Sequence, residues 1–227
     1  MGDDGRSHAI VGGAGLGTAA RRAKSVAGQQ AGGGTMMARH FMAAAVAVGL
    51  AAGLAWPAQA QAEDAWQAAR AAGSHLLMRH AIAPGTGDPA AFAIGDCSTQ
   101  RNLSEEGRRQ AGRIGAAIRQ NDVPVDVVLT SQWCRSRDTA EGLDIRPVED
   151  EPALNSFFAG RGDRNEQTEA LRERIAELDA EGRKAVLVSH QVIITALTGV
   201  YPGSGEIVVI RLGEDGEVRV EGRIGTD

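Results

Sequence analysis

The sequence predicts an α/β domain with a largely parallel sheet, and three observations carry that expectation. Short apolar runs alternate with stretches of helical spacing. The runs Leu76–Met78, Val125–Leu129 and Ala185–Val188 are bounded by turn residues, as buried strands are. Each run leads into polar side chains suited to holding an anion: Arg79-His80, Thr130-Ser131 followed by Arg135, and Ser189-His190. In open α/β sheets the ligand crevice lies beyond the carboxyl ends of the strands, so these groups are expected at one edge.

Taken in order, the Ala/Gln-rich stretch before Gly73 predicts a short helix over Trp66–Ala72, and His75–Arg79 the first strand. Residues 81–101 form a long loop rich in Pro and Gly, of the kind more often functional than filler. Ser104 then caps a helix, with Glu105 and Glu106 at the positive end of its dipole and Leu103, Ala111, Ile114 and Ile118 on one apolar face. The run Val125–Leu129 is the second strand, and residues 132–140 a short helix. A weaker strand is expected at Asp144–Val148, while Leu154–Phe158 is ambiguous. Leu171, Ile175 and Leu178 mark a helix ended by Gly182, and Ala185–Val188 is the third strong strand. A helix opening at Val192 stops at Gly199 and Pro202; Ile207–Arg211 and Val218–Val220 close the chain as a hairpin around Gly213–Gly216.

The chain has 227 residues, and its first part reads differently. Residues 36–60 run from a short basic start through an Ala/Val/Leu/Gly core to Ala58-Gln59-Ala60, the layout of a signal peptide. Cleavage is expected after Ala60 or Ala62, and the protein is expected to be periplasmic or secreted; the alternative is an uncleaved anchor. Residues 1–35 read as a disordered extension, or as lying upstream of a true start at Met36 or Met37. Their G-x-G-x-x-A match at Gly15–Ala20 lacks a preceding strand and is not read as a dinucleotide loop. Residues 61–227 are expected to be a single domain.

The whole chain holds 24 Lys+Arg against 29 Asp+Glu; residues 1–62 contribute five and two, leaving a net charge of −8 in the remainder. That acidity argues against nucleic acid and anionic membrane. The cations of this part are arginines apart from Lys184, and arginine is the better fork for oxyanions. Two cysteines, Cys97 and Cys134, are expected to pair in an exported chain, the alternative being two free thiols in a cytosolic one.

Beyond residue 62 there are three histidines, His75, His80 and His190, of which the last two stand at strand ends. His75 is expected to be structural. Neutral imidazole can attack phosphorus, arginine can hold a phosphoryl dianion bidentately, and a second histidine can stabilise the charge that builds in the transition state. The chemistry calls for no cofactor, and the residues offer no metal-ligand spacing.

Four motifs occur in sequence: Leu77-Met78-Arg79-His80-Ala81, Asn102-Leu103-Ser104-Glu105-Glu106-Gly107, Thr130-Ser131-Gln132-Trp133-Cys134-Arg135 and Val188-Ser189-His190. Together they resemble the histidine phosphatase superfamily (phosphoglycerate-mutase-like) over about residues 75–200. The resemblance implies a three-layer α/β/α sandwich, a nucleophilic His80 that forms a phosphohistidine, and a phosphate pocket lined by Arg79, Arg135 and His190. Arg101 is a further candidate substrate-binding residue. The expected activity is hydrolysis of phosphate monoesters on a phosphorylated small molecule. Where the family carries a glutamate acid this chain has Ser156, and where another branch carries an aspartate it has Gln191. Glu151, Asp96 and Glu105 are then the candidate acids. A missing acid points to two alternatives, a phosphohistidine or acyl-phosphate phosphatase and a non-catalytic phospholigand-binding protein. A Cys97–Cys134 disulfide would pin the loop carrying Asp96 and Arg101 to the pocket wall, and Trp133, Phe157 and Phe158 would serve either as an apolar rim or as core.

Overall fold

The structure, a computed structural model, describes residues 58–226. The expected extension 1–35 and most of the leader 36–60 lie outside the described residues. Six strands form one sheet in the order β3-β2-β4-β1-β5-β6. The strands are β1 (Ser74–Arg79), β2 (Val127–Thr130), β3 (Val148–Asp150), β4 (Ala185–Ser189), β5 (Ile207–Leu212) and β6 (Val218–Ile224). The four on the β3 side run parallel; β5 is antiparallel to β1, and β6 to β5.

Helices cover both faces, which is why β1 as far as Met78, and β2 and β4 throughout, are buried on successive rather than alternate residues. On one face α1 (Ala58–Arg70), α2 (Glu105–Gln120) and α3 (Cys134–Gly142) pack onto Leu76, Met78, Val128, Val186 and Val188. On the other, α4 (Arg164–Ala180) and α5 (Gln191–Thr198) pack onto Leu77, Leu129, Leu187, Val208 and Ile210. The result is the expected three-layer sandwich. Among the described residues no helix is long and apolar enough to cross a membrane.

Most elements form where the sequence placed them, and two do not. The helix expected over Trp66–Ala72 begins at Ala58, because its Ala/Gln run favours helix and Ala65, Trp66 and Ala69 bury a face against β6 and the sheet. Its first turn therefore crosses the expected domain boundary at residue 61. The strand expected at Asp144–Val148 is displaced to Val148–Asp150. Asp144 turns the chain with a left-handed φ of 51°, and Pro147 has no N–H to give a ladder, so pairing starts with Val148 opposite Val128.

One glycine fixes the path of the chain after β1. Ser104 caps α2 by accepting a hydrogen bond from the Gly107 N–H, and both Ser104 N and Oγ donate to the Ile82 carbonyl. A Cβ on Gly107 would meet that carbonyl oxygen at 2.1 Å. The loop leaving His80 thus lies directly on the first turn of α2. Gly107→Ala should lower stability by about 1–3 kcal/mol, the usual cost of overpacking, and lower activity with it through displacement of Ile82. Urea denaturation followed by far-UV circular dichroism checks the first effect; an unchanged midpoint would show that the loop yields freely.

Candidate active site

Strand register assembles the site. Arg79 lies opposite Ser189 and Thr130 opposite Val188, so the residues that follow them emerge side by side. The His80 N–H donates to the Ser189 carbonyl (2.9 Å) and the Ser131 N–H to the Val188 carbonyl (3.0 Å). The His80 and His190 rings meet edge to face with centroids 5.5 Å apart. Arg135 enters from the first turn of α3, and His190 is the N-cap of α5. Two helix N-termini therefore point their positive ends at this edge.

The hydrogen bonds fix the tautomer of each imidazole. His80 Nδ1 lies 2.8 Å from the Ala81 carbonyl, which can only accept, so Nδ1 carries the proton and Nε2 the lone pair. Arg135 Nε donates to that lone pair at 3.2 Å. His190 takes its tautomer from Ser131. The Ser131 hydroxyl donates to Asn155 Oδ1, an oxygen that also accepts from the Gln132 N–H. His190 Nε2–H must then donate to Ser131 Oγ (2.8 Å), leaving Nδ1 to accept from Arg135 Nη2 at 3.4 Å.

Both rings are buried and neutral. Burial first, and then the Arg135 guanidinium, lower His80 to about 3. The same two causes, followed by His80 itself, push His190 well below its ordinary value. Burial and the charge of Arg135 lower Arg101 to about 10.

Arg79, His80, Arg101, Arg135 and His190, all singled out in the sequence, line a single cavity of about 180 Å³. Arg79 Nη1 donates to the Pro202 carbonyl, while its buried Nε has no protein partner. Arg101 is tied to the carbonyls of Ala83 and Gly87. Ser156 and Gln191 line the cavity as well. The three candidate acids do not. Asp96 and Glu151 turn back to cap the short 3-10 helices that follow them, and Glu105 pairs with Arg109 on the exposed start of α2. No carboxylate is among the lining residues. Trp133 is buried and Phe157 packs in the core, whereas Phe158 reaches the cavity mouth. His75 binds Asp179 and the Ala185 N–H at the far end of the sheet.

The residue that sequence reasoning missed is Asp88. Its side chain, 5% exposed, pairs with Arg135 at 2.6 Å and accepts from Trp133 Nε1 (3.1 Å) and from the Arg101 N–H (3.3 Å). Burial would raise the carboxyl, yet the hydrogen bonds and charge of Arg135 outweigh it and hold Asp88 below the usual range. Cys97 and Cys134 are joined, Cα atoms 5.7 Å apart, and the Cys134 N–H donates to Gln100 Oε1. The loop bearing Asp88 and Arg101 is thereby bonded to the helix bearing Arg135. Among the described residues no group of three His, Cys, Asp or Glu side chains is placed to hold a metal ion.

A mainly parallel sheet whose carboxyl edge presents two neutral imidazoles among three arginines defines an α/β protein with a cationic cavity suited to an oxyanion. A family model described as "Histidine phosphatase superfamily (branch 1)" matches residues 76–180. The fold recurs in the protein histidine phosphatase SixA complexed with tungstate, 19% identical with a TM-score of 0.50, over 67% of this chain and 97% of that one. It recurs in a mycobacterial glucosyl-3-phosphoglycerate phosphatase, 19% identical with a TM-score of 0.50, over 66% and 97% of the two chains. A phosphoserine phosphatase mutant from Entamoeba histolytica in complex with phosphoserine, 14% identical with a TM-score of 0.50, is matched over 68% and 98%. No curated protein matches the chain. Residues 76–180 thus match the histidine phosphatase superfamily, as the three motifs within that stretch led us to expect.

Two outcomes follow from this geometry. Asp88→Asn removes the one carboxylate on Arg135 and should cost about 3–5 kcal/mol, as breaking a buried ion pair does. Added phosphate should restore part of that loss, raising the melting temperature of the variant more than that of the wild type. Equal shifts would mean that Asp88 does not govern the charge felt by a bound anion. Reduction with dithiothreitol, reaching the bond from exposed Cys97, should lower stability by about 2–4 kcal/mol and turnover with it. Full activity in protein verified as reduced would show that hydrogen bonds alone hold the loop.

Proposed function

We propose that this protein is an exported, metal-independent phosphatase that works through a phosphohistidine on His80. The observation that carries this reading is the neutral His80 Nε2 lone pair, 3.2 Å from Arg135 Nε, in a cavity also lined by Arg79 and Arg101. The arginines would hold the equatorial oxygens of a phosphoryl dianion, and the buried Nε–H of Arg79 is a donor free to meet it. The His80 Nε2 lone pair would form the bond to phosphorus as the bond to the leaving group breaks, the leaving group taking the electron pair. The arriving dianion would draw a proton to His190 Nδ1, which then donates to the oxygen on which charge builds. Water would next attack phosphorus, breaking the P–N bond and returning His80 to its neutral form. The sequence of residues 36–60, together with the disulfide, supports an oxidising, exported setting.

The absence of a carboxylate from the lining favours a second, narrower reading. An alkoxide must be protonated as it departs, while the carboxylate released from an acyl phosphate need not be. An imidazole whose second nitrogen is already protonated leaves neutral. Acyl phosphates and phosphohistidine would then react faster than alkyl phosphates.

His80→Ala should lower turnover at least about a thousandfold while phosphate or vanadate still binds. If wild type and variant bind but neither turns over any donor, the protein is a phospholigand-binding one. Because the folded-state value of His80 lies near 3, the nucleophile stays neutral down to that pH, and no acid limb at pH 6–7 should come from it. A limb near pH 6 should instead follow the second ionisation of the substrate phosphoryl group and move when a donor of different acidity is used. A limb fixed at one pH for all donors would assign it to the enzyme.

A further inference from the structure

Four large apolar side chains are exposed among the described residues, and two of them, Phe158 (46%) and Tyr201 (70%), line the arginine-floored cavity. Solvent-facing aromatic rings at the mouth of a charged pocket call for an explanation, because burying them would add binding energy for the apolar part of a ligand there.

The backbone that carries each ring is tied to the site itself. Tyr201 immediately precedes Pro202, whose carbonyl accepts from Arg79 Nη1 at 3.0 Å, and the Gly205 N–H donates to the carbonyls of Arg79 and His80. The segment carrying Tyr201 is therefore laced to the strand end that carries the floor. Phe158 comes from the connection between β3 and α4. Its N–H donates to Ser156 Oγ at 3.2 Å, and a Cβ on Gly87 would touch its ring edge at 3.5 Å. Ser156 thus turns its hydroxyl toward the backbone of the ring-bearing turn. Phe158 leads into Ala159, held at a left-handed φ of 57°, a conformation that a non-glycine residue keeps only when its surroundings impose it. Val192 adds an apolar wall, and Gln191 spends its amide N–H on Thr195 Oγ1.

The mouth is thus apolar and aromatic, the floor cationic, and no carboxylate stands between them to recognise a cationic group or protonate an alkoxide. We propose that Phe158 and Tyr201 are specificity determinants that stack on the leaving group, so that the pocket prefers phosphoryl groups borne directly on a flat ring over those borne on an alkyl or acyl chain. This rests on the phosphatase reading above and deepens it: a ring leaving group, a phenol or an imidazole, needs less proton donation than an alcohol.

The test separates ring recognition from turnover. Dissociation constants for phenylphosphonate and methylphosphonate, which cannot be hydrolysed, are measured by calorimetry on the purified protein and on Phe158→Ala, Tyr201→Ala and Phe158→Leu. Wild type should bind the phenyl compound about tenfold more tightly, and each alanine variant should lose about threefold to tenfold of that ratio. Phe158→Leu, apolar without a ring face, should recover only part of it. Vanadate affinity, which reads the arginine floor, should follow neither ring. The ratio of kcat/KM for phenyl phosphate and phosphoimidazole to that for acetyl phosphate should fall in the same variants, and the first two donors show whether oxygen- or nitrogen-linked rings are preferred. A wild-type preference below twofold, or one untouched by the substitutions, overturns the proposal and leaves the phosphatase reading standing. Failure of both phosphonates and of vanadate to bind would overturn the two together.

Discussion

Three arginine side chains share the walls of one small cavity, and their mutual repulsion is the constraint around which the site is built. Burial first, and then the like charge of Arg135, make ionisation costlier at Arg101. Several features make the cluster tolerable. Carbonyl groups of Ala83, Gly87 and Pro202 take up guanidinium donors. Asp88 places one full negative charge against Arg135. Both histidines remain neutral, adding no further cation. With three arginines and one carboxylate, the site keeps an excess of about two positive charges, the complement of a phosphoryl dianion. Burial first, and then the same cations, keep the proton off His80 Nε2 and leave its lone pair available.

That arrangement had to be made from distant segments, and the sheet makes most of it without help. Once β1, β2 and β4 run parallel as neighbours, the residues following them cannot avoid one another, and the fold itself brings the imidazoles together. The helices contribute direction: α3 and α5 begin where their strands' polar ends lie, so their N-termini add to the positive field. What the sheet cannot supply is the third side of the cavity. The loop of residues 81–101 supplies it, held down by Gly107 beneath Ile82, by Asp88 on Arg135 and by the Cys97–Cys134 bond.

The difference between these contributions explains what could be read from the sequence. His80, His190, Arg79 and Arg135 were legible because a strand end is a local signal: an apolar run, a polar pair and a turn. Ser104 and Gly107 were legible for the same reason, as a cap and its helix. Asp88 carried no such signal. Gly85-Thr86-Gly87-Asp88-Pro89 reads only as turn chemistry, and the partner that gives Asp88 its meaning lies 47 residues away. Tyr201 was hidden likewise, an aromatic between a helix stop and a strand. The candidate acids failed in the opposite direction. Asp96, Glu105 and Glu151 were chosen for their positions along the chain, but each sits where a carboxylate has a local use at a helix N-terminus or in a surface pair.

The lack of an acid in the lining is therefore best understood together with the field that surrounds it. A protonated carboxyl could donate to a leaving group only if its proton survived beside three guanidinium ions, and such a field favours ionisation. Asp88, held ionised by Arg135, illustrates the outcome. A carboxylate added to this lining without other changes would be drawn into an ion pair with an arginine, competing with the phosphoryl group rather than assisting its departure. On the readings proposed above, leaving-group chemistry would be governed by what the substrate brings, selection would fall to the mouth, where a donor's ring would meet Phe158 and Tyr201, and the floor would be left to the phosphoryl group.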